Sequence, residues 1–96
     1  MNLYIIITNR KSGALFQALA KACTRNEIQW SVFFTGDGVE ILNNQAFLDA
    51  TLGAKAAIAC QESWSSLYKD VQCPVDSGSQ LNNSMMVEKA DKILSF

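Results

Sequence analysis

Five short runs rich in apolar residues alternate with polar, turn-forming segments along the chain. The runs are residues 3–8, 28–34, 56–60, 71–75 and 91–96. The first is almost continuously apolar and rich in isoleucine, which is typical of a strand buried on both faces of a parallel sheet. The fourth is weaker and contains Pro74, so it is predicted to be an edge strand or a strand end. The pattern therefore predicts five strands.

Helical periodicity appears between the predicted strands. Apolar residues recur with a helical period from residue 14 to residue 23, which predicts an amphipathic helix there. Asp37 and Glu40 have capping-box spacing, so a second helix is predicted to open near Gly38 and to close at Gly53. A short helix or a turn is predicted at residues 63–67, and another helix is predicted at residues 81–90.

Strands that alternate with helices indicate an α/β fold with a mainly parallel sheet of about five strands. Right-handed crossovers place every strand-to-helix loop at one edge of such a sheet. These loops are residues 9–13, 35–38, 60–63 and 76–80. With 96 residues and no internal linker or repeat, residues 1–96 are expected to form a single domain.

Composition narrows the possible partners. The formal net charge is −1, from 8 basic and 9 acidic residues, and no basic run provides an electrostatic footprint for nucleic acid. The apolar run at residues 3–7 is too short to span a membrane and lacks the positive flank of a secretory signal. We therefore expect a cytoplasmic protein that binds neither nucleic acid nor membranes.

The absence of histidine excludes several chemistries. A Ser-His-Asp triad, a Cys-His pair and a histidine-bearing zinc site are all impossible within this chain. The three cysteines form no C-x-x-C motif, so free thiols and no metal site are expected. Gly36 and Gly38 belong to no phosphate-binding motif, which argues against a flavodoxin-like ligand-binding domain, and no cofactor is predicted.

Cys60 is the residue most suited to chemistry. It ends the apolar run 56–60 and is followed at once by polar residues and a predicted helix start. A thiol there would lie at the carboxyl edge of the sheet, where α/β folds place their sites, and beside a helix N-terminus, which favours the thiolate. The backbone N–H groups of residues 61–63 would lower its pKa, whereas a nearby Glu62 carboxylate would raise it. The alternative is that Cys60 is a small buried apolar residue.

The other candidate residues have plainer interpretations. Cys23 is predicted to lie in the core, and Cys73 is predicted to fill the core or a sheet edge. A Cys60–Cys73 redox pair is the alternative if adjacent strands hold the two thiols close together. Asp37 is predicted to cap a helix, with the orientation of a ligand as the alternative. Trp30 is predicted to lie in the core, and Trp64, beside Cys60, is the better candidate for an interface.

Three segments in order resemble the DsrE/DsrF-like (TusD-like) sulfur-relay family. They are Val-Phe-Phe-Thr-Gly-Asp-Gly-Val at residues 32–39, the cysteine that ends the third strand, and Ala-Asp-Lys-Ile-Leu-Ser-Phe at residues 90–96. The resemblance implies a three-layer α/β/α domain. It also implies an oligomer, formed either by identical chains or with related DsrE-, DsrF- and DsrH-type subunits.

The resemblance also implies an activity, in which a cysteine carries sulfur as a persulfide and exchanges it with a donor or acceptor protein. Cys60 would be the sulfur acceptor, with Gly36, Asp37, Gly38 and Gln61 supporting the site. This chain departs from many relatives in lacking an Arg-Gly pair shortly after the cysteine. Because some relatives are non-catalytic, the alternative is a DsrE-like subunit or binding module in which Cys60 is structural.

Overall fold

Five parallel strands form one sheet in the computed structural model, which describes all of residues 1–96. The strands are β1 (Asn2–Ile7), β2 (Gln29–Phe34), β3 (Ala56–Cys60), β4 (Asp76–Gly78) and β5 (Lys92–Ser95). Their order across the sheet is β4-β3-β2-β1-β5. The α-helices are α1 (Gly13–Arg25), α2 (Gln45–Ala50), α3 (Gln61–Leu67) and α4 (Gln80–Lys89), and short 3-10 helices lie at Arg10–Ser12, Gly36–Asn43 and Thr51–Gly53. The predicted α/β class with a parallel sheet is confirmed.

The order of the strands explains why helices cover both faces of the sheet. The chain steps from β1 to β2, β3 and β4 in one direction and then crosses back to β5 at the opposite edge. Right-handed crossovers that run in opposite directions place their helices on opposite faces. Helices α1, α2 and α3 therefore pack on one face, where they share the larger hydrophobic cluster, and α4 packs on the other.

The larger cluster lies between α1 and the central strands. Its strand residues alternate with those of the opposite face, so Trp30, Val32 and Phe34 of β2 all point towards α1. The Phe16 ring contacts both aromatic neighbours edge-on, with ring centroids 5.9 Å from Trp30 and 5.4 Å from Phe34. The predicted core role of Trp30 is confirmed, because its side chain is almost wholly buried.

The opposite face carries a smaller cluster under α4. Tyr4, Phe33 and Cys60 are buried there, and Met86 of α4 packs against them. The Tyr4 hydroxyl donates a hydrogen bond of 2.5 Å to Asn83 Oδ1 on α4. Burial raises the pKa of the Tyr4 phenol, so it remains a donor at neutral pH. This bond ties α4 to β1.

The predicted fourth strand is misplaced. Residues 71–75 form no strand, and β4 is instead Asp76–Gly78, which the sequence pattern assigned to a loop. Pro74 cannot donate a ladder hydrogen bond, and the half-buried Val75 packs against the larger cluster without pairing with a strand. Pairing with β3, with Cys60 opposite Gly78, determines the strand that forms.

The predicted start of the second helix, near Gly38, is also wrong. Residues Gly36–Asn43 form a 3-10 helix, and Asp37 lies inside it rather than capping it. The α-helix begins only at Gln45, where the Asn44 side chain accepts a hydrogen bond of 2.9 Å from the Ala46 N–H. A Cβ atom at Gly38 would overlap the Ile7 carbonyl oxygen, so the segment runs hard against the end of β1. Such close contact requires glycine.

None of the helices combines the length and the apolar character that crossing a bilayer requires.

Candidate functional site

Cys60 lies where three strands end at the same edge of the sheet. It is the last residue of β3 and the N-cap residue of α3. Phe34 of β2 pairs with Ala59, so Thr35 follows directly beside Cys60 on one side. Gly78 of β4 pairs with Cys60 on the other side. The predicted position, at a carboxyl edge and a helix start, is the one that the structure shows.

The Cys60 side chain faces the layer of α4. Alternation along β3 turns Ala57 and Ala59 towards the larger cluster and Ile58 and Cys60 towards the smaller one. Cys60 is only 6% exposed, yet it lines a cleft of about 370 Å³. The cleft also includes residues of the start of α3, the end of β4 and the start of α4, namely Gln61, Glu62, Gly78, Ser79, Gln80 and Leu81. The sulfur thus lies at the edge of the core and at the base of a surface cleft.

The pKa of the Cys60 thiol is set by two opposing effects. Burial raises it, because the charged thiolate loses solvation. The Ser63 hydroxyl and backbone N–H, the Thr35 hydroxyl and the Glu62 backbone N–H lower it by hydrogen bonding to the anion. The donors prevail, and the pKa lies below the ordinary value for a cysteine.

Ser63 connects the site to the turn after β2. The Gly36 N–H donates a hydrogen bond of 2.9 Å to Ser63 Oγ. A hydroxyl has a single hydrogen to donate, and accepting from Gly36 leaves that hydrogen free for the Cys60 sulfur. Gly36 adopts a φ of 55°, in the left-handed region that favours glycine. This turn therefore presents its N–H to α3.

The predicted supporting residues lie at the same edge but in different surroundings. Gln61 lines the Cys60 cleft. Gly36 and Asp37 line a neighbouring cleft of about 390 Å³. Glu62 lines both this cleft and the Cys60 cleft, so it lies between them. Gly38 is buried against the end of β1. Residues 36–37 and 60–63 therefore meet at this edge, whereas Gly38 packs against the Ile7 carbonyl at the end of β1.

The hydroxyls of Thr35 and Ser63 were not among the predicted site groups. Two signals in the sequence point to them. Thr35 follows β2 by one residue, as Cys60 ends β3, and such positions become neighbours in a parallel pair. Ser63 is the third residue after the cysteine that caps α3, the position whose N–H and side chain face an N-cap residue.

The other two cysteines lie away from this site. Cys23 is buried in the larger cluster, and burial raises its pKa. Cys73 is half-buried and packs against the same cluster, on the face opposite to the Cys60 side chain. It belongs to no strand, so the adjacent-strand pairing that a Cys60–Cys73 redox pair would need does not exist. All three thiols are free.

Trp64 is not available as an interface residue. Its side chain is buried in the larger cluster, and its indole N–H donates a hydrogen bond of 2.7 Å to the Val71 carbonyl. The ring also packs against Tyr68, with ring centroids 4.7 Å apart. The predicted interface role is therefore wrong. Trp64 anchors α3 and the segment that follows it, because an amphipathic ring beside an apolar strand is readily buried once its N–H finds an acceptor.

The structure brings together no group of three or more cysteine, aspartate or glutamate side chains that could hold a metal ion. No protein-family model matches this sequence, and no curated protein sequence matches it significantly. The chain is a small α/β protein built on a five-stranded parallel sheet, with Cys60 at the carboxyl edge of that sheet.

Proposed function

We propose that this protein accepts sulfur as a persulfide on Cys60 and passes it to another protein. The observation that carries the proposal is the set of donors around the Cys60 sulfur, which lower its pKa although the residue is almost wholly buried. A thiolate is the nucleophile that sulfur transfer requires. The resemblance of residues 32–39, Cys60 and residues 90–96 to DsrE/DsrF-like proteins supports the same function.

Sulfur acceptance is an exchange at one S–S bond. The Cys60 thiolate attacks the outer sulfur of a donor persulfide, R–S–SH. A new S–S bond forms at Cys60, the donor S–S bond breaks, and the donor sulfur leaves with the electron pair as a thiolate. The outer sulfur retains its proton, so Cys60 becomes Cys60–S–SH and no external oxidant or reductant is consumed.

Delivery of sulfur is the same kind of exchange, with the Cys60 persulfide now acting as the donor. A thiolate of the acceptor attacks the outer sulfur of the Cys60 persulfide, and Cys60 leaves as a thiolate. Because a thiol of lower pKa leaves faster, the hydroxyls of Ser63 and Thr35 assist delivery as well as acceptance. The site therefore suits a carrier that both takes up and gives up sulfur.

The proposed partners are a sulfur donor protein and a sulfur acceptor protein in the cytoplasm. The chain would act as a homo-oligomer or with related DsrE-, DsrF- or DsrH-type subunits. An approaching partner must insert its persulfide or thiol into the cleft beside Cys60, whose walls carry the exposed Glu62 carboxylate and the exposed Leu81 side chain.

Intact-protein mass spectrometry after incubation with glutathione persulfide tests the proposal. We expect the mass of one added sulfur atom, placed on Cys60 by peptide analysis and removed by a reductant. The Cys60→Ser variant should lose this addition, and the Cys23→Ser variant should keep it. Sulfur found on Cys73 instead, or on no cysteine, would rule out Cys60 as the acceptor.

A second candidate function is a non-catalytic subunit or binding module with Cys60 structural. The packing of Cys60 with Tyr4 and Phe33 at 6% exposure favours it. In that case Cys60→Ala would lower stability without changing assembly with a partner chain. Absence of sulfur addition to a natively folded protein, together with a lower unfolding midpoint of Cys60→Ala, would select this function.

A further inference from the structure

Cys60 combines an activated thiol with little exposed surface. Hydrogen-bond donors from α3 and from Thr35 lower the pKa of its thiol, yet the residue is only 6% exposed. For any exchange at its sulfur, the reacting atom of another molecule must come within about 3–3.5 Å and in line with the bond that breaks. A side chain with so little exposed surface offers little room for that approach. Access to the sulfur therefore depends on movement of an element that borders the Cys60 cleft.

Three elements border this cleft, namely α3, the end of β4 and the start of α4. Helix α3 is anchored by the buried Trp64, which is hydrogen-bonded to the Val71 carbonyl. Strand β4 pairs with β3. Helix α4, in contrast, has no buried residue, and only Met86 and Val87, in its C-terminal half, pack against a buried cluster. Because local opening costs least where few apolar contacts are buried, the N-terminal half of α4 is the part most able to move.

The two ends of α4 are held differently. At the C-terminal end, Asn2 Nδ2 donates a hydrogen bond of 3.3 Å to the Lys89 carbonyl, and the Asn2 N–H donates one of 2.7 Å to the Asp91 carboxylate. These bonds hold that end against β1. The N-terminal end, which lines the Cys60 cleft, continues from β4, an edge strand of only three residues. An opening motion would therefore swing the N-terminal half about a fixed C-terminal end.

A single hydrogen bond joins a side chain of α4 to a side chain of the sheet. The Tyr4 hydroxyl donates it to Asn83 Oδ1. The Tyr4 ring is almost wholly buried and packs in the smaller cluster, so its hydroxyl has a fixed position. Asn83 lies two residues after Leu81, which lines the Cys60 cleft. The bond therefore holds the half of α4 that borders the cleft.

We propose that the N-terminal half of α4 is a gate over Cys60, which the Tyr4–Asn83 hydrogen bond holds closed. Opening exposes the sulfur and leaves its hydrogen-bond donors in place, since none of them belongs to α4. The relevance of the gate to sulfur delivery rests on the proposed function. The gate itself is measured with an alkylating reagent and no sulfur donor, so the two proposals can fail separately.

Alkylation of Cys60 by iodoacetamide across a range of pH tests the gate, with peptide mass spectrometry to follow each cysteine. Tyr4→Phe keeps the buried ring and removes the hydroxyl, and Asn83→Ala removes the acceptor. Each should raise the Cys60 rate by roughly three- to ten-fold at every pH, since the loss of one hydrogen bond shifts an opening equilibrium by about that factor. The midpoint of the pH profile should not move, because the donors to the sulfur are unchanged. Amide hydrogen exchange at residues 80–84 should accelerate, and that of α1 should not.

Tyr68→Phe is the matched control, because it makes the same chemical change at a ring of the larger cluster, on the other face of the sheet from α4. Its Cys60 rate should equal that of the wild-type protein. Cys23, buried in the larger cluster, reports global unfolding and should stay unreactive in every variant. An unchanged Cys60 rate in Tyr4→Phe or in Asn83→Ala, a shifted midpoint, or a parallel rise in Cys23 reactivity would overturn the proposal.

Discussion

At the scale of single residues, the pKa of the Cys60 thiol depends on the balance between burial, which raises it, and hydrogen bonding, which lowers it. Burial alone would make this thiol inert, as it does for Cys23, whose pKa is raised. Four donors from two elements reverse the outcome at Cys60. Each unit of pKa corresponds to about 1.4 kcal/mol of differential interaction, so the loss of one donor is large enough to measure.

Ser63→Ala removes the hydroxyl that faces Cys60 and leaves its backbone N–H in place. We expect the pKa of Cys60 to rise, and alkylation by iodoacetamide at pH 7 to slow by roughly three- to ten-fold, since less thiolate is present. The rate is measured in a Cys23→Ser, Cys73→Ser background. Ser66→Ala, three residues further along the same helix and not among the donors to Cys60, is the matched control. Equal rates for the two alanine variants would show that the Ser63 hydroxyl does not act on Cys60.

At the scale of elements, the sequence predicted those whose signals are local. The amphipathic period of α1 and the apolar runs of β1, β2 and β3 were enough to place them. Strand β4 was missed because its residues, Asp-Ser-Gly, have no strand preference; only pairing with β3 makes them extended. The 3-10 helix at Gly36–Asn43 was missed because close contact between Gly38 and β1 replaced the capping that the Asp37 spacing suggested.

The candidate site was predictable to a similar degree. Cys60 and its edge followed from a strand that ends in a thiol before a polar segment. The hydroxyl of Thr35 did not, because its contact depends on the register of β2 against β3, which no local pattern specifies. Trp64 was misjudged for a related reason: its closeness to Cys60 in the sequence does not reveal which face of the sheet its side chain packs on.

Helix α4 depends on its N-terminal cap. Ser79 and Asn82 form a capping box, with the Leu81 N–H bonded to Ser79 Oγ at 3.2 Å and the Ser79 N–H bonded to Asn82 Oδ1 at 2.8 Å. Ser79→Ala should lower the free energy of unfolding by about 1 kcal/mol, measured by urea denaturation. Ser84→Ala, at an exposed position within α4, should leave it unchanged or slightly raised. A cost at Ser84 equal to that at Ser79 would contradict the role of the cap.

At the scale of the whole molecule, the two faces of the sheet are unequal. Three helices and the larger cluster cover one face, while α4 alone covers the smaller cluster beside Cys60. Stability therefore resides mainly on the face away from the thiol. This division leaves the carboxyl edge next to α4 open enough for a cleft.

Substitutions on the two faces should differ accordingly. Phe16→Ala removes a wholly buried ring and should destabilise by about 3–5 kcal/mol. Met86→Ala, which truncates a half-buried side chain on α4, should cost less than about 2 kcal/mol because that site is partly open to solvent. Urea denaturation of both variants measures the difference. A larger cost at Met86 would show that the α4 face, and not the α1 face, dominates the stability.

The central claim is that the Cys60 thiol ionises more readily than an ordinary cysteine in the folded protein. The most direct measurement is the rate of alkylation of each cysteine as a function of pH, followed by peptide mass spectrometry under native conditions. We predict that the Cys60 profile has its midpoint at a lower pH than the value for a cysteine in an unfolded peptide, with Cys23 unreactive in the folded state. A Cys60 midpoint at or above that value, or modification of Cys60 only as fast as the protein unfolds, would contradict the account.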